Sequence, residues 1–204
     1  MNTLSIGLLF LLSLTTPVRG SDPVQTSLAP VIRDTLHTGL SVNLSGYLVE
    51  KLGLSYQNRI LFQDVDQLIA PFRNRTETSC WQSEFWGKWL TSAVLAYRYQ
   101  PATQLKNKID QAVNGLITTQ SDDGYLGNYA ADKRLEAWDI WGRKYCMLGL
   151  IAYYDLFKEK KALQAAGKVA DHLMNELTTN NILIVKKGNH RGMAASSVLE
   201  PICL

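Results

Sequence analysis

Tryptophans and carboxylates gather in two short stretches of this sequence. The first is E-F-W-G-K-W at residues 84–89, and the second is E-A-W-D-I-W-G-R-K-Y at residues 136–145. The polar stretch D-D-G-Y-L-G at residues 122–127 precedes the second one and has the composition of a turn. Aromatic faces pack on the C–H faces of sugar rings, and an indole N–H donates to hydroxyl groups. This combination predicts an aromatic-lined site for a hydroxyl-rich ligand such as a glycan.

The acidic side chains in these stretches could also do chemistry. Glycoside hydrolysis generally uses two carboxyl groups on either side of the scissile bond. The sequence places its candidates at one predicted mouth but does not give their separation: Glu84, Asp123, Glu136 and Asp139. Carboxylates near helix N-termini are also ordinary caps and dipole partners, and for any single one of them capping is the stronger interpretation. Lys88, Arg143 and Lys144 are either ligand donors or solvated helix-end charges.

Helices must position these residues. The spacing of apolar residues predicts helices over about 41–62, 64–72, 83–99 and 101–119, a buried helix that ends near Phe157, and an amphipathic helix over about 159–177. The apolar stripe of that last helix is predicted to be Leu163, Ala166, Ala170, Leu173, Met174 and Leu177. Residues 178–192 are predicted to form a loop with a short strand at 182–185, followed by a helix from about Ala194.

Part of this pattern repeats. Trp86-Gly87-Lys88 opens one apolar helix, and Trp141-Gly142-Arg143 opens another 55 residues later. A more polar helix follows each of them, so the repeating unit is a helical hairpin. A helix that is apolar on nearly all sides must be surrounded by protein. The sequence therefore predicts an all-α fold, a partial (α/α)6 toroid of inner buried helices and outer amphipathic helices. Six such hairpins need roughly 300 residues or more.

The chain termini and composition add further expectations. Residues 1–20 have the short apolar core and small-residue end of a signal peptide, which predicts a secreted or periplasmic protein with no membrane span after cleavage. The alternative is a hydrophobic N-terminal helix. Residues 21–40 are predicted to be an extended lead-in, and 41–204 the helical domain. A net charge of +3 is too small to favour nucleic acid. Cys80, Cys146 and Cys203 match no zinc-binding spacing, so no metal is predicted in this chain.

The ordered set of motifs resembles glycoside hydrolase family 127, the β-L-arabinofuranosidase-like enzymes. The resemblance runs from about residue 40 to the end and rests on F-W-G-K-W-L-T-S-A at 85–93, D-G-Y-L-G at 123–127, W-D-I-W-G-R-K-Y at 138–145 and G-M-A-A-S-S-V-L-E-P at 192–201. It implies the N-terminal half of an (α/α)6 catalytic domain that β-sandwich domains follow. It also implies that a wall of the sugar subsite is formed by Glu84, Asp123, Tyr125, Asp139, Trp141 and Lys144.

The resemblance places the catalytic glutamate and a zinc-held cysteine of the family beyond residue 204. Neither role maps onto Cys80, Cys146 or Cys203, so catalytic residues stay unassigned and zinc is expected only in a full-length member. The apolar ending at 198–204 predicts a truncated chain that is inactive alone. Two other functions stay open, namely a non-catalytic glycan-binding surface protein and a terpene-cyclase-like toroid, which Q-S-D-D-G-Y at 120–125 also suggests.

Overall fold

The computed structural model describes residues 44–204, so the predicted signal peptide and lead-in, at 1–20 and 21–40, lie outside the described residues. Within residues 44–204 there is no β-strand, only an isolated bridge between Glu77 and Tyr129. The all-α prediction is confirmed for this range. Its helices are α1 (Tyr47–Ser55, continued by a π-helical stretch Tyr56–Leu61), α2 (Val65–Asn74), α3 (Ser83–Tyr99), α4 (Thr103–Ile117), α5 (Asp139–Phe157), α6 (Lys160–Thr179), α7 (Met193–Ser196) and α8 (Leu199–Ile202).

Helices α3 and α5 lie side by side at the centre of the domain. Ser83 faces Gly142 near the start of each helix, and Leu90 faces Gly149 further along. Matching positions therefore advance in the same direction, so the two helices are parallel. Glycine lets the backbones approach closely because it has no Cβ. The repeat in the sequence thus corresponds to two neighbouring inner helices.

Helices α4 and α6 return along the outside and complete two hairpins. Helix α4 buries one face through Leu105, Ile109, Ala112, Val113 and Leu116. Its contact with α3 is fixed by Trp86, whose Nε1 donates to the carbonyl of Ala112 at 3.2 Å. This is the predicted arrangement of a buried helix followed by an amphipathic one.

The predicted apolar stripe of α6 is wrong at two positions. Leu163 and Met174 are 42% and 50% exposed, whereas His172 is buried. The buried face instead consists largely of small residues: Ala162, Ala165, Ala166, Val169, His172, Leu173 and Leu177. Alanines allow close approach to α5, and His172 is accommodated because it has polar partners at this contact.

The predicted strand at 182–185 is also wrong, because a 3-10 turn occupies Ile184–Lys186. The predicted helix from Ala194 is broken into α7 and α8. Pro201 has no backbone N–H to donate to the carbonyl of Ser197, which prevents one continuous helix. Cys146 is fully buried, and burial raises the pKa of its thiol far above the usual range.

Helix α1 has no buried residue, and several of its large apolar side chains are exposed. An apolar groove of about 450 Å³ lies between this segment and the exposed side of α3, lined by Leu52, Tyr56, Ile60, Leu95 and Tyr99 among others. None of the helices within residues 44–204 has the length and apolar character required to cross a membrane.

The close contact of α3 and α5 gives a stability prediction. A Cβ at Gly87 would lie 2.1 Å from the carbonyl oxygen of Tyr145, which is backbone and can move only if the helices separate. We expect Gly87→Ala to lower the free energy of unfolding by about 2–3 kcal/mol, as for other overpacked cores. Urea unfolding followed by circular dichroism measures the change.

Gly167→Ala is the matched control, because a Cβ at Gly167 of α6 meets nothing within 4 Å. Alanine is the better helix former, so this variant is expected to gain about 0.5–1 kcal/mol. Equal effects of the two substitutions would contradict the close contact.

Candidate functional site

The first turns of α3 and α5 open at the same end of the domain, together with the loops at 77–82, 122–138 and 187–192. We call this end the mouth. The ring centroids of Trp81 and Trp138 are 6.2 Å apart, those of Trp138 and Trp141 are 5.7 Å apart, and those of Trp138 and His190 are 5.1 Å apart. Aromatic side chains from three loops and from α5 therefore meet at the mouth.

A first polar cluster, the Glu84 cluster, links α3 to α5. Glu84 Oε1 accepts from Lys88 Nζ at 2.8 Å, and Glu84 Oε2 accepts from Trp141 Nε1. Lys144 Nζ lies 5.2 Å from the Trp141 ring centroid and forms an ion pair with Glu200 of α8 at 2.8 Å. Three of the predicted subsite residues are thus brought together, namely Glu84, Trp141 and Lys144. Trp141 is only half-buried, so part of its ring faces solvent.

The other three predicted residues lie in a second cluster on the far side of α5, the Arg143 cluster. The Arg143 guanidinium has no exposed surface and donates from Nη2 to Asp139 Oδ2 and from Nη1 to Glu176 Oε2, each at 2.5 Å. Tyr125 Oη donates to Asp139 Oδ1 at 2.8 Å. Although burial alone would lower it, the charges of Asp139 and Glu176 hold the pKa of Arg143 above its ordinary value.

The guanidinium groups of Arg134 and Arg143 lie over the fully buried Tyr125 ring. The Cζ atoms of Arg134 and Arg143 are 3.8 and 4.5 Å from its centroid. Burial, followed by the charge of Asp139, raises the pKa of the Tyr125 hydroxyl well above its usual value, which keeps it a donor. The D-G-Y-L-G turn is therefore anchored to the side of α5 that faces α6.

Asp123 holds the outer edge of the same turn. Its Oδ1 accepts from the backbone N–H of Tyr125 at 3.0 Å, and its Oδ2 lies 3.3 Å from both Arg134 and His172. Burial alone would raise its pKa, but the hydrogen bonds from Tyr125 and Ser121 and the charges of His172 and Arg134 together lower it far below the usual value.

The structure separates the carboxylates that the sequence groups at one mouth. Glu84 lies in the first cluster and Asp123 and Asp139 in the second, while Glu136 pairs with Lys187 at 2.6 Å. The ligand-binding roles of all six predicted subsite residues stay predictions. Tyr125 and Asp139 have almost no exposed surface, whereas Trp141 in the Glu84 cluster is half-buried.

Sequence reasoning gave no role to His172 or Glu176. Glu176 Oε2 lies 3.3 Å from His172 Nδ1, and both side chains reach the Arg143 cluster from α6. The available signal was their spacing of four residues, which places both on one helix face. A polar pair on the buried side of an amphipathic helix indicates partners across the contact.

A zinc site does not fit the described residues. Within residues 44–204 there is no group of three or more His, Cys, Asp or Glu side chains that could hold a metal ion. Cys146 is buried in the core, whereas Cys203 is exposed. No chemical step is therefore assigned to a metal on these residues.

The Arg143 cluster gives a second stability prediction. Removing Arg143 leaves Asp139 buried without a cation, and a broken buried pair typically costs about 3–5 kcal/mol. We expect Arg143→Leu to lower the free energy of unfolding by that amount. Arg134→Leu is the control, because Arg134 also covers Tyr125 but pairs with the half-exposed Asp123, and such pairs contribute about 1 kcal/mol or less. Denaturant unfolding of the two variants should differ clearly; similar losses would contradict the assignment.

Asp123 gives a pH prediction. A carboxylate whose pKa is lowered by folding stabilises the fold at any pH above its ordinary pKa of 3.8. This contribution is lost as the pH falls below 3.8 towards the lowered pKa of the folded state. Asp123→Asn should therefore be less stable than the parent above about pH 5, by on the order of 1 kcal/mol since the group is half-exposed. The difference should shrink below pH 4. Unfolding curves from pH 3 to 7 measure it, with Asp122→Asn as the neighbouring control; a difference independent of pH would exclude this role.

Comparisons with known proteins identify the family and the fold. The family model described as β-L-arabinofuranosidase, GH127 catalytic domain, matches residues 47–199. A crystal structure of a GH127 β-L-arabinofuranosidase from Geobacillus stearothermophilus T6 superimposes with a TM-score of 0.51 at 15% identity, over 76% of this chain. At that identity the similarity shows the fold, and it supports a toroid-like arrangement of the helices. A comparison with curated proteins gave no match.

The match covers 27% of the Geobacillus chain, so this chain spans only part of the length of the solved protein. The family match covers most of the helical domain, including Glu84, Trp141 and Arg143. This chain belongs to the β-L-arabinofuranosidase GH127 catalytic-domain family.

Proposed function

We propose that this chain is part of the catalytic domain of a secreted glycoside hydrolase that acts on β-L-arabinofuranosyl or other complex glycans. Its residues supply one wall of the sugar site at the mouth. The observation that carries this proposal is the contact between Glu84 and Trp141, which places a carboxylate and an aromatic ring from two inner helices side by side. The signal-like pattern at residues 1–20 supports secretion.

The contact fixes both groups before a ligand binds. Glu84 is held by Lys88 and Trp141 and is 8% exposed, so it cannot turn freely. Each carboxylate oxygen can accept two hydrogen bonds, and each oxygen of Glu84 accepts one from the protein. A sugar hydroxyl can therefore donate to the same carboxylate. Because the Trp141 ring is already ordered, stacking a sugar on it costs little side-chain entropy.

The same residues are less suited to cleaving a glycosidic bond. Cleavage requires an acid and a second carboxylate across the bond. In the described range, the mouth carboxylate Glu84 is paired with Lys88, and Asp139 is paired with Arg143 behind the mouth. We therefore assign binding to this wall and hydrolysis to groups outside these residues. The Asp123–Tyr125–Asp139 set is assigned to holding the turn behind the wall.

Isothermal titration calorimetry of the purified chain with methyl β-L-arabinofuranoside and with arabino-oligosaccharides tests the proposal. Trp141→Ala should weaken binding about tenfold or more, equivalent to about 1.4 kcal/mol. Tyr99→Ala is the matched control, since Tyr99 is a half-exposed aromatic at the opposite end of α3. It should bind as the parent does.

Release of p-nitrophenol from an arabinofuranoside measures cleavage in parallel. The chain alone should bind without cleaving. A folded chain that binds none of these glycans would overturn the sugar site, and cleavage by the chain alone would overturn the assignment of hydrolysis elsewhere. Binding without cleavage by a longer protein that contains this domain would favour a non-catalytic glycan-binding protein.

A further inference from the structure

The tryptophans of the chain fall into two groups by what their indole N–H groups do. Trp86 and Trp89 are buried, and each Nε1 donates to a backbone carbonyl, Ala112 and Ile60 respectively, at 3.2 Å. Trp141 donates to Glu84. Within residues 44–204, the indole N–H groups of Trp81 and Trp138 donate to no protein group. Buried indole N–H groups normally find a hydrogen-bond partner, as those of Trp86 and Trp89 do in the core. Trp81 and Trp138 each retain a free N–H donor.

Trp81 is 49% exposed, yet its loop is tightly held. Glu77 Oε1 accepts from the backbone N–H groups of Thr78, Ser79 and Cys80 at 2.7–2.9 Å. Hydrogen bonds from these amides, opposed by burial, lower the pKa of Glu77, so the carboxylate stays charged and keeps accepting. An exposed tryptophan on a rigid loop is not explained by core packing.

Tyr129 ties this loop to the segment that carries Trp138. Its hydroxyl donates to the carbonyl of Cys80 at 2.7 Å and accepts from the backbone N–H of Trp138 at 3.2 Å. Burial raises the pKa of Tyr129 to about 12, so the hydroxyl remains a donor at neutral pH. The residues next to Trp81 and at Trp138 are therefore fixed relative to each other through one buried side chain.

The aromatic rings continue outward from the proposed sugar wall. Trp138 lies 5.7 Å from Trp141, and Trp81 lies 6.2 Å from Trp138, with interplanar angles of 68° and 71°. The ring centroids of Trp138 and His190 are 5.1 Å apart. A ligand that occupies the wall at Trp141 and extends by one unit meets Trp138 and Trp81 next.

We propose that Trp81 and Trp138 form a second, outer sugar subsite, so that the chain recognises an oligosaccharide over at least two sugar residues and not a single terminal sugar. The inference rests on the proposed function, because the outer subsite adjoins the wall at Trp141. One sugar residue stacks on the exposed face of Trp81, and its hydroxyls accept from the free indole N–H groups. The ordered loop binds without a large loss of entropy.

The experiment compares a one-sugar ligand, methyl β-L-arabinofuranoside, with an arabinotriose by calorimetry. Trp81→Ala should weaken triose binding about five- to tenfold and leave the methyl glycoside unchanged. Trp141→Ala should weaken both ligands, and Tyr99→Ala neither. Tyr129→Phe, which releases the loop but keeps Trp81, should give a smaller loss that is again confined to the triose.

A second measurement uses the unaltered chain, so it does not depend on how any variant folds. In ¹⁵N-labelled protein, the indole N–H signals of Trp81 and Trp138 should shift with triose, whereas those of Trp86 and Trp89 should stay in place. Equal triose affinity of Trp81→Ala and the parent, with Trp141→Ala weakened, would overturn the outer subsite and leave the proposed function intact. Binding of neither ligand would overturn the proposed function itself.

Discussion

The mouth depends on how closely α3 and α5 approach each other. Glu84 reaches Trp141 because the two helices are in close contact at Gly87, which meets the backbone of Tyr145, and at Gly142, which meets the side chain of Ser83; no Cβ would fit at either position. The parallel direction is equally necessary, since it brings both N-terminal turns to the same end. Moving the helices apart by one methyl group would separate the carboxylate from the indole. The geometry of the site is therefore set by residues that bind nothing.

Next to the apolar contact between α5 and α6 lies a buried cluster of charges. Arg143 is buried and satisfies two carboxylates, and its guanidinium covers Tyr125. Buried ion pairs are a weak source of stability compared with apolar packing, but removing one partner is costly. Such a cluster fixes one arrangement of its members. Here it fixes the D-G-Y-L-G turn and the start of α5. Asp139 also accepts a hydrogen bond from the backbone N–H of Leu135, which has a φ of 67°, in the left-handed region that a leucine rarely adopts.

The sequence predicts the helical part of the fold well because apolar residues recur at helical spacing in α3 and α4 and because α5 is apolar on nearly all sides. Helix α3 has the predicted bounds, 83–99. Prediction was wrong where local pattern and tertiary contact disagree. Leu163 and Met174 look like core residues but face outward, since α6 packs through alanines and carries His172 to a polar contact. The break between α7 and α8 follows from Pro201, whose missing N–H was visible in the sequence.

The candidate site was predicted as a set of residues but not as a geometry. The sequence groups Glu84, Asp123, Glu136 and Asp139 because they lie near the predicted openings of the inner helices. Spacing along one helix does not tell which side of the neighbouring helix a side chain reaches. Asp139 and Trp141 are two positions apart on α5, which turns them by about 200° relative to each other. One therefore faces α6 and the other the mouth. Sequence repeats identify corresponding positions, while the contacts of α5 on its two sides decide which of them pack towards α6 and which lie at the mouth.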